Sequence, residues 1–385
     1  MRGTVETVLR EPKLRSKDRS DLKKYPATFF VDYVPRSADE LGPRPRIPSS
    51  SPEFTSGRVI LPKHEHLKFR YEVKHHVGQG TFSNVYLVVD HRSWRTKSDP
   101  EQCFVVAKIT RASPAYAQAS RREQSVLQDL AAHGVPGVLP SIDCFCLGNS
   151  VCTVFPKMDF NLYQYTREVR RSKTVASVDF VLWFLRETTA TFAGAHAAGW
   201  VHADIKPENY MLNRSQNRRE SASFTAVAVI DWGSARGNDP RAAPPGYVQS
   251  RYYRAPEVVD RAESDASIDV WSMGCVAYEL VTGRVLFQAE DEAELKRMHR
   301  AWPGARDATL AHRDVRDPLI REYIRRATVI DPERRATSQE LLHLLTPPRP
   351  PRQPDQPAGE QQDKRHHHDE GPPRRGRSRS VPARI

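Results

Sequence analysis

The sequence has no long apolar run and few cysteines, and each shortage excludes a class of protein. No stretch approaches the roughly 18 apolar residues of a membrane-spanning helix, so we expect no membrane span. The first residues also lack the apolar core of a secretion signal. The 5 cysteines form no paired CxxC motif, and Cys144 and Cys146 have no histidine at ligand spacing. We therefore expect reduced structural thiols in a reducing compartment, rather than a metal site or a disulfide framework.

Apolar residues are also scarce at both ends of the chain. The whole sequence is 38% hydrophobic, enough for one sizeable core, but residues 1–66 and 347–385 are rich in proline and charge. Such compositions do not offset the entropy lost on ordering, so they predict two largely disordered tails. The run TFFVDYV at residues 28–34 is an exception that would dock on the folded domain or on a partner. Residues 67–346 then form one folded unit.

Positive charge is in excess, with a formal net charge of +12 concentrated in the tails and in arginine-rich loops. A basic surface attracts nucleic acid, acidic proteins or anionic lipid. The run RRGRSRS at residues 374–380 fits nuclear import or nucleic-acid contact through the tail, and it equally fits a solvated tail. We expect an intracellular protein of the nucleus, the cytoplasm or both.

A glycine-rich turn lies between two alternating, strand-like runs at residues 69–77 and 85–89. A strand, a glycine turn and a second strand form a hairpin of the kind that covers a nucleotide, whereas a Rossmann turn leads into a helix. Gly78 and Gly80 let the backbone approach phosphate oxygens. A third glycine is expected where Ser83 stands. The predicted nucleotide contacts of the hairpin are Val77, Gly78, Gln79, Gly80 and Val85.

One lysine interrupts the apolar strand FVVAKI at residues 104–109. A charge on such a strand is costly without a partner, and Glu123 is the candidate partner. It lies on a helical stretch at residues 121–130 whose inward face carries Leu127 and Leu130. A pair of Lys108 and Glu123 would hold the α- and β-phosphates, with Ala107 as a further contact. Taken alone, the pattern would be better explained by a strand-edge lysine in water and an unrelated helix glutamate.

The segment VHADIKPENYML at residues 201–212 offers the side chains that phosphoryl transfer requires. Asp204 supplies a carboxylate for the attacking hydroxyl, Lys206 a cation for the transferred phosphate, and Asn209 an amide ligand for metal. Asp231 follows the apolar run VAVI and precedes a glycine, so it suits coordination of Mg²⁺. We predict catalytic roles for Asp204 and Lys206, and metal ligands in Asn209 and Asp231.

Taken in order, these motifs resemble the signature set of protein kinases from about residue 69 to 345. The resemblance implies an α+β, two-lobed protein-kinase fold with disordered tails. Residues 67–158 would form an N-lobe, with a five-stranded antiparallel sheet and one helix, and the hinge, while residues 159–346 would form a mainly helical C-lobe. It also implies ATP and Mg²⁺ as cofactors, Ser/Thr of protein substrates as acceptors, and a monomer without membrane contact.

Finer details resemble the CMGC group, in particular the dual-specificity tyrosine-regulated and homeodomain-interacting branches. Three stretches carry this resemblance: HAD at 202–204, IDWGSA at 230–235 and YVQSRYYRAPE at 247–257. The catalytic-loop arginine of most kinases is absent. The resemblance implies autophosphorylation on Tyr247 during maturation, with Arg251 and Arg254 as receivers of the phosphate. An ordinary packed tyrosine stays as the alternative.

Other roles follow from the same resemblance. The hinge would lie at residues 155–158, with Phe155 as a bulky gatekeeper and backbone groups of Pro156 and Met158 meeting adenine. Asp159 would reach the ribose. Asp269 would cap the catalytic-loop backbone. A structural ion pair would join Arg335 to Glu257.

Two other functions remain open from the sequence. A pseudokinase scaffold would act through its fold and tails, and Ser83 and Ala203 are the motif departures that favour it. Nucleic-acid binding through the basic tail would make that tail the primary functional part. The stretch between residues 280 and 331 is shorter than the CMGC pattern, which puts docking surfaces there in doubt.

Overall fold

The computed structural model describes residues 58–80, 82–94, 100–215, 224–239, 248–311 and 315–346. The strands of the upper sheet are β1 (His66–Leu67), β2 (Tyr71–Gln79), β3 (Ser83–Asp90), β4 (Phe104–Thr110), β5 (Asp143–Leu147) and β6 (Ser150–Pro156). They pair in the order β1-β2-β3-β4-β6-β5, and every neighbouring pair is antiparallel. The predicted five-stranded sheet is thus confirmed, with the two-residue strand β1 added at one edge.

Strand alternation builds the core of this N-lobe. Tyr71 and Val73 of β2, Tyr86 and Val88 of β3, and Ala107 of β4 are all buried on the same face of the sheet. In a strand, alternate residues point to opposite faces, so the residues between them face the cleft or solvent. A short helix, α1 (His91–Trp94), follows β3.

The N-lobe helix α2 (Pro114–Ala132) begins where Pro114 occupies the first turn. Proline suits that position because its missing N–H would have no partner there. The buried residues Glu123, Val126, Leu127 and Leu130 recur at helical spacing. The helix therefore turns one apolar face inward, and that face carries one carboxylate with it.

The C-lobe is mainly helical. Its helices are α3 (Leu162–Arg171), α4 (Val178–Ala197), α5 (Pro256–Val259), α6 (Ser267–Thr282), α7 (Glu292–Leu310), α8 (Pro318–Ala327) and α9 (Ser338–Leu345). Helix α6 is buried on nearly all sides. A Cβ at Gly274 would lie 2.8 Å from Ala327 Cβ and 2.8 Å from Thr328 Cγ2, so only glycine lets α6 and α8 approach this closely.

Among the described residues, five short strands position the loops of the C-lobe. They are β7 (Phe160–Asn161), β8 (Trp200–Val201), β9 (Tyr210–Arg214), β10 (Phe224–Val229) and β11 (Arg236–Gly237). Strands β7, β9 and β10 form one sheet, and β8 pairs with β11. Beyond the end of β10, Ile230 N donates to Asn209 O at 2.9 Å, which fastens the segment after β10 to the loop before β9.

The cysteines lie within the described residues, and Cys103, Cys152 and Cys275 are buried. Burial raises the pKa of the Cys152 and Cys275 thiols above its usual range, which makes them inert at neutral pH. Within the described part of the chain, no helix combines the length and the apolar character needed to cross a membrane.

Candidate functional site

A cavity of about 440 Å³ lies in the cleft between the N-lobe sheet and the C-lobe. Eleven of the residues predicted as nucleotide or metal contacts line it. They are Val77, Gly78, Gly80, Val85, Lys108, Glu123, Pro156, Met158, Asp159, Asn209 and Asp231. Residues that are distant in sequence, on the hairpin, β4, α2, β6 and the C-lobe loops, therefore face one space.

Lys108 of β4 is the centre of the charge network in this cleft. Its Nζ donates to Glu123 Oε1 at 2.9 Å and Oε2 at 3.0 Å, and to Asp231 Oδ1 at 2.9 Å. The predicted pair of lysine and helix glutamate therefore forms. Burial opposes the charged ammonium, but the two carboxylates outweigh it and raise the pKa of Lys108. The side chain remains a cation under all physiological conditions.

Asp231 is held in an unusual backbone conformation directly after β10. Its φ of 64° is in the left-handed region that non-glycine residues rarely adopt. The charge of Lys108 lowers the pKa of the Asp231 carboxyl despite burial. An ionised carboxylate is the form that a metal cation requires.

Trp232 fixes the residue next to this aspartate. Its ring is buried, and its Nε1 donates to Val229 O at 3.3 Å. It also meets the His202 ring edge to face, with 4.7 Å between centroids. A phenylalanine in this position would keep the packing but would have no N–H to donate.

The loop before β9 carries the predicted catalytic side chains. Asp204 Oδ2 accepts from Lys206 Nζ at 2.6 Å, and Asp204 Oδ1 accepts from Ser250 Oγ at 2.9 Å. Lys206 Nζ also donates to Ser250 Oγ at 3.2 Å. Asn209 Nδ2 donates to Asp204 O at 2.8 Å. Lys206 and Ser250 therefore hold the two carboxylate oxygens, and Asn209 fixes the main chain of the same residue.

Asp269 of α6 caps this loop from below, as the sequence predicts. Its carboxylate accepts from His202 N at 2.7 Å and Ala203 N at 2.9 Å, and from His196 Nε2 at 3.0 Å. Although burial opposes the charge, these donors lower the pKa of Asp269. Ala203 has a φ of 63°, so the cap holds a strained residue immediately before Asp204.

Two of the predicted nucleotide contacts do not line the cleft. Ala107 is fully buried in the N-lobe core, and Val106 lines the cleft in its place. The reason is strand alternation: Val106 is two residues from Lys108 and shares its face of β4, whereas Ala107 lies on the opposite face. Gln79 is not among the residues that line the cleft. Its amide, with the oxygen turned toward the guanidinium, accepts from Arg58 at 3.1 Å.

The hinge residues lie where the sequence predicts. Strand β6 ends at Pro156, and Phe155, Pro156 and Met158 line the cleft. The carboxylate of Asp159 accepts from Arg214 N at 2.9 Å and from Lys157 Nζ at 3.4 Å. These contacts hold Asp159 at the mouth of the cleft.

Two residues within the motif YVQSRYYRAPE support the site, although nothing in the sequence assigned a role to either. Ser250 contacts both side chains predicted to be catalytic, Lys206 and Asp204, across 44 and 46 residues of chain, a separation that no local pattern reveals. Gln249 is buried with a φ of 64°, and its side chain bonds to Ile268, Ser272 and Ala255. A polar run between Val248 and Ala255 was the available hint.

The predicted regulatory residues are only partly visible. Tyr247 lies outside the described residues. Arg251 is exposed and donates to Glu290 O, whereas Arg254 is buried and donates to Val248 O at 3.1 Å and Gln249 O at 2.9 Å. Their role toward a phosphate stays a prediction.

A larger cavity of about 680 Å³ lies low in the C-lobe, between α7, α8 and the start of α9. Its lining includes Trp302, Arg306, Arg326 and Arg334 but none of the residues predicted for catalysis or metal binding. Cavity volume therefore does not identify the site, because the smaller cleft contains the residues predicted for nucleotide and metal binding.

The comparison with known families agrees with this geometry. The profile of the protein kinase domain matches residues 71–345, which is most of the described chain. The match begins at β2 and ends with α9.

Individual relatives are more distant. The chain is 28% identical over 297 residues to dual specificity tyrosine-phosphorylation-regulated kinase 3 of Mus musculus, covering 76% of this chain and 47% of the relative. It is 29% identical over 280 residues to dual specificity tyrosine-phosphorylation-regulated kinase mbk-2 of Caenorhabditis elegans, covering 71% and 32%. The chain thus spans less than half the length of these two relatives.

Proposed function

The chain belongs to the protein kinase family and resembles its dual-specificity tyrosine-regulated branch, and we propose that it phosphorylates Ser and Thr of proteins with ATP. One observation carries the proposal. Lys108 Nζ joins Glu123 and Asp231 within 3.0 Å, beside the loop that holds Asp204. The cleft therefore contains a lysine ammonium, held between two carboxylates, of the kind that positions a triphosphate.

Protein kinases use ATP and Mg²⁺, and the residues present fit both. Asn209 donates through its amide nitrogen to Asp204 O, which leaves the amide oxygen as a ligand. Asp231 gives Oδ1 to Lys108 and keeps Oδ2. Amide and carboxylate oxygens are the ligands that Mg²⁺ prefers, and Mg²⁺ bound there would neutralise phosphate charge.

The side chains of the cleft divide the remaining work. Lys108 holds the α- and β-phosphates, and the backbone of the hairpin covers them. Asp204 accepts a hydrogen bond from the substrate hydroxyl, whose oxygen bonds to the γ-phosphorus as the bond to the bridging oxygen breaks and ADP leaves. The hydroxyl proton moves toward Asp204, and Lys206 stabilises the charge on the transferred group.

The test is phosphotransfer from γ-labelled ATP to a library of Ser- and Thr-containing peptides. Asp204→Asn keeps the size of the side chain but removes the carboxylate charge, so we expect turnover to fall by at least about 10²-fold. Nucleotide affinity should stay within about twofold, because Asp204 acts on the acceptor. An exposed carboxylate far from the cleft, Asp307, gives the matched control Asp307→Asn.

Either of two outcomes would overturn the proposal. Wild-type protein that neither binds Mg-ATP nor labels itself or any peptide is not an enzyme. Full phosphotransfer activity of Asp204→Asn would show that another group accepts the proton of the substrate hydroxyl. A scaffold without catalysis would behave as in the first outcome, and the presence of Lys108, Glu123, Asp204, Asn209 and Asp231 argues against it.

We also propose that the chain phosphorylates its own Tyr247. The names of the two relatives describe kinases of dual specificity that tyrosine phosphorylation regulates. Exposed Arg251 lies four residues after Tyr247 and carries a guanidinium that suits a phosphate. We expect one phosphate on Tyr247 after expression in a host without kinases, and lower yield or activity of Tyr247→Phe. Intact-mass and peptide mass spectrometry measure this, and unphosphorylated yet active protein would refute it.

Partners and location are proposals that rest on the sequence. An intracellular site in nucleus or cytoplasm fits the buried, inert thiols of Cys152 and Cys275. A monomer is likewise proposed from the family resemblance alone. The run at residues 374–380 lies outside the described residues, and nucleic-acid binding through it would show a steep salt dependence that deletion of residues 348–385 removes.

A further inference from the structure

A short segment before the kinase domain lies against the glycine hairpin. We name residues 58–61 the N-terminal strap; they precede residue 71, where the family match begins. Val59 O accepts from Asn84 Nδ2 and from Tyr86 Oη, both at 3.1 Å. Leu61 N donates to the same Tyr86 hydroxyl at 3.2 Å. The strap is thus fastened to β3, the second strand of the hairpin.

The side chains of the strap alternate. Val59 and Leu61 pack against the N-lobe core, whereas Ile60 between them is 51% exposed. This alternation is that of an extended chain with one buried face. Val59 and Leu61 are partly buried, and this packing anchors the strap independently of its hydrogen bonds, so its first residue is held in place.

That first residue, Arg58, reaches the turn of the hairpin. Its Nη1 donates to Gly80 O at 3.2 Å and to Asn84 Oδ1 at 3.1 Å. The Gln79 amide accepts from the same guanidinium at 3.1 Å when its oxygen faces Arg58. Gly80 N donates to Ser83 O at 2.9 Å across the turn. Arg58 therefore bonds to both arms of the turn and closes it from outside the cleft.

We propose that Arg58 is a positioning residue of the nucleotide site, which holds the glycine hairpin in the conformation that covers the phosphates. A glycine-rich turn has many accessible backbone conformations. A ligand that orders the turn reduces its conformational entropy, and this cost weakens binding. A charged donor on neutral acceptors of both arms removes part of this cost before nucleotide binds. The acceptors described for Arg58 are uncharged, so its positive charge also stays beside the phosphate site.

The inference rests on the proposed function and makes a specific kinetic prediction. In the 385-residue chain, Arg58→Ala should raise the KM for ATP and the Kd for Mg-nucleotide about three- to tenfold. The kcat at saturating ATP and the KM for peptide should stay within about twofold, because the hydroxyl site is untouched. Arg58→Lys, which keeps the charge and loses the fork of donors, should recover part of the affinity.

Arg92→Ala is the matched control, because it removes one exposed arginine from the same lobe. A second measurement needs no activity: amide hydrogen exchange at residues 78–85 should quicken in Arg58→Ala and not in Arg92→Ala. An unchanged KM for ATP in Arg58→Ala, an equal rise in Arg92→Ala, or unchanged exchange would each overturn the inference.

Failure of the inference is distinguishable from failure of the proposed function. If the wild-type protein neither binds nucleotide nor transfers phosphate, the proposed function is wrong. The exchange measurement still decides whether Arg58 orders the hairpin. Wild-type protein that is active, with Arg58→Ala equally active at low ATP, removes only the inference. A residue that served stability alone would lower the melting temperature of Arg58→Ala and leave the KM for ATP unchanged.

Discussion

Single residues in this protein are tuned by burial as much as by their partners, and His299 of α7 shows this most clearly. It is 3% exposed and lies edge to face with Trp271 and Phe287, at centroid distances of 5.1 and 4.9 Å. Neither ring nitrogen has a hydrogen-bond partner among the described residues. Burial lowers the pKa of His299 to about 4; the negative charge of Asp260 opposes this shift, and the positive charge of Arg335 adds to it. The imidazole is therefore packed as a neutral ring.

This pKa makes a prediction about stability in acid. A histidine in the unfolded chain has a pKa near 6.5. Between pH 6.5 and 4 the imidazole of His299 is therefore protonated in the unfolded state and neutral in the folded state. The free energy of unfolding should fall by up to about 3 kcal/mol between pH 6.5 and 4 on this account. Denaturant unfolding across that range measures it.

The control for that experiment separates His299 from the other histidines. His299→Leu should reduce the loss between pH 6.5 and 4 by up to about 3 kcal/mol, because a buried apolar side chain does not titrate. Carboxyls with lowered pKa, such as Asp269 and Glu322, account for the rest. His133→Leu, at an exposed position, should keep the wild-type dependence on pH. The same slope in His299→Leu and wild type would contradict the assignment.

At the scale of elements, one buried ion pair joins α5 to the loop before α9. Arg335 donates to Glu257 Oε1 at 2.6 Å and Oε2 at 2.9 Å, and the Arg335 side chain is fully buried. It also donates to the carbonyls of Val329, Ser267 and Ile330. The predicted pair is confirmed, and one side chain ties together three segments of the C-lobe.

Removal of one partner should be costly because the other charge stays buried. We expect Glu257→Ala to lower the free energy of unfolding by about 3 to 5 kcal/mol. Glu322→Ala, which breaks a surface pair with Arg325 and Arg326, should cost at most about 1 kcal/mol. Urea unfolding of both variants tests the contrast, and equal effects would show that burial does not set the cost.

Sequence patterns predicted the elements well wherever periodicity or a motif was strong. The strand around Lys108, the helix face with Glu123 and the cap by Asp269 all form where expected. Ala107 lies outside the cleft because adjacent strand residues face opposite ways, so Val106 lines the cleft with Lys108. Sequence patterns missed Ser250 because that contact depends on how a distant segment folds back.

At the scale of the whole molecule, the two lobes meet in the cleft through charge. Lys108 from the N-lobe and Asp231 from the C-lobe are 2.9 Å apart, and Asn209 lies in the same cavity. A nucleotide whose phosphates contact both lobes would therefore stabilise the folded domain as a whole. Its effect on stability follows from mass action alone.

This leads to a prediction about nucleotide and metal. A non-hydrolysable ATP analogue with Mg²⁺, at 100 times its Kd, should stabilise the protein by about 2.7 kcal/mol. A chelator should remove most of that gain, and Asp231→Asn should lose the dependence on metal while Asp204→Asn keeps it. Thermal melting measures all four conditions. Equal stabilisation of wild type with and without Mg²⁺ would contradict the assignment of Asp231 as a ligand.

The buried indole of Trp232 has a consequence for inhibitor design. Compounds that require the residue beside Asp231 to rotate out of its pocket would have to expose a large ring and break its hydrogen bond to Val229 O. Compounds that occupy only the adenine region between the hairpin and the hinge incur no such penalty. Selective inhibitors should therefore be sought among adenine mimics shaped to the bulk of Phe155, and Trp232→Phe should weaken the discrimination against the other class.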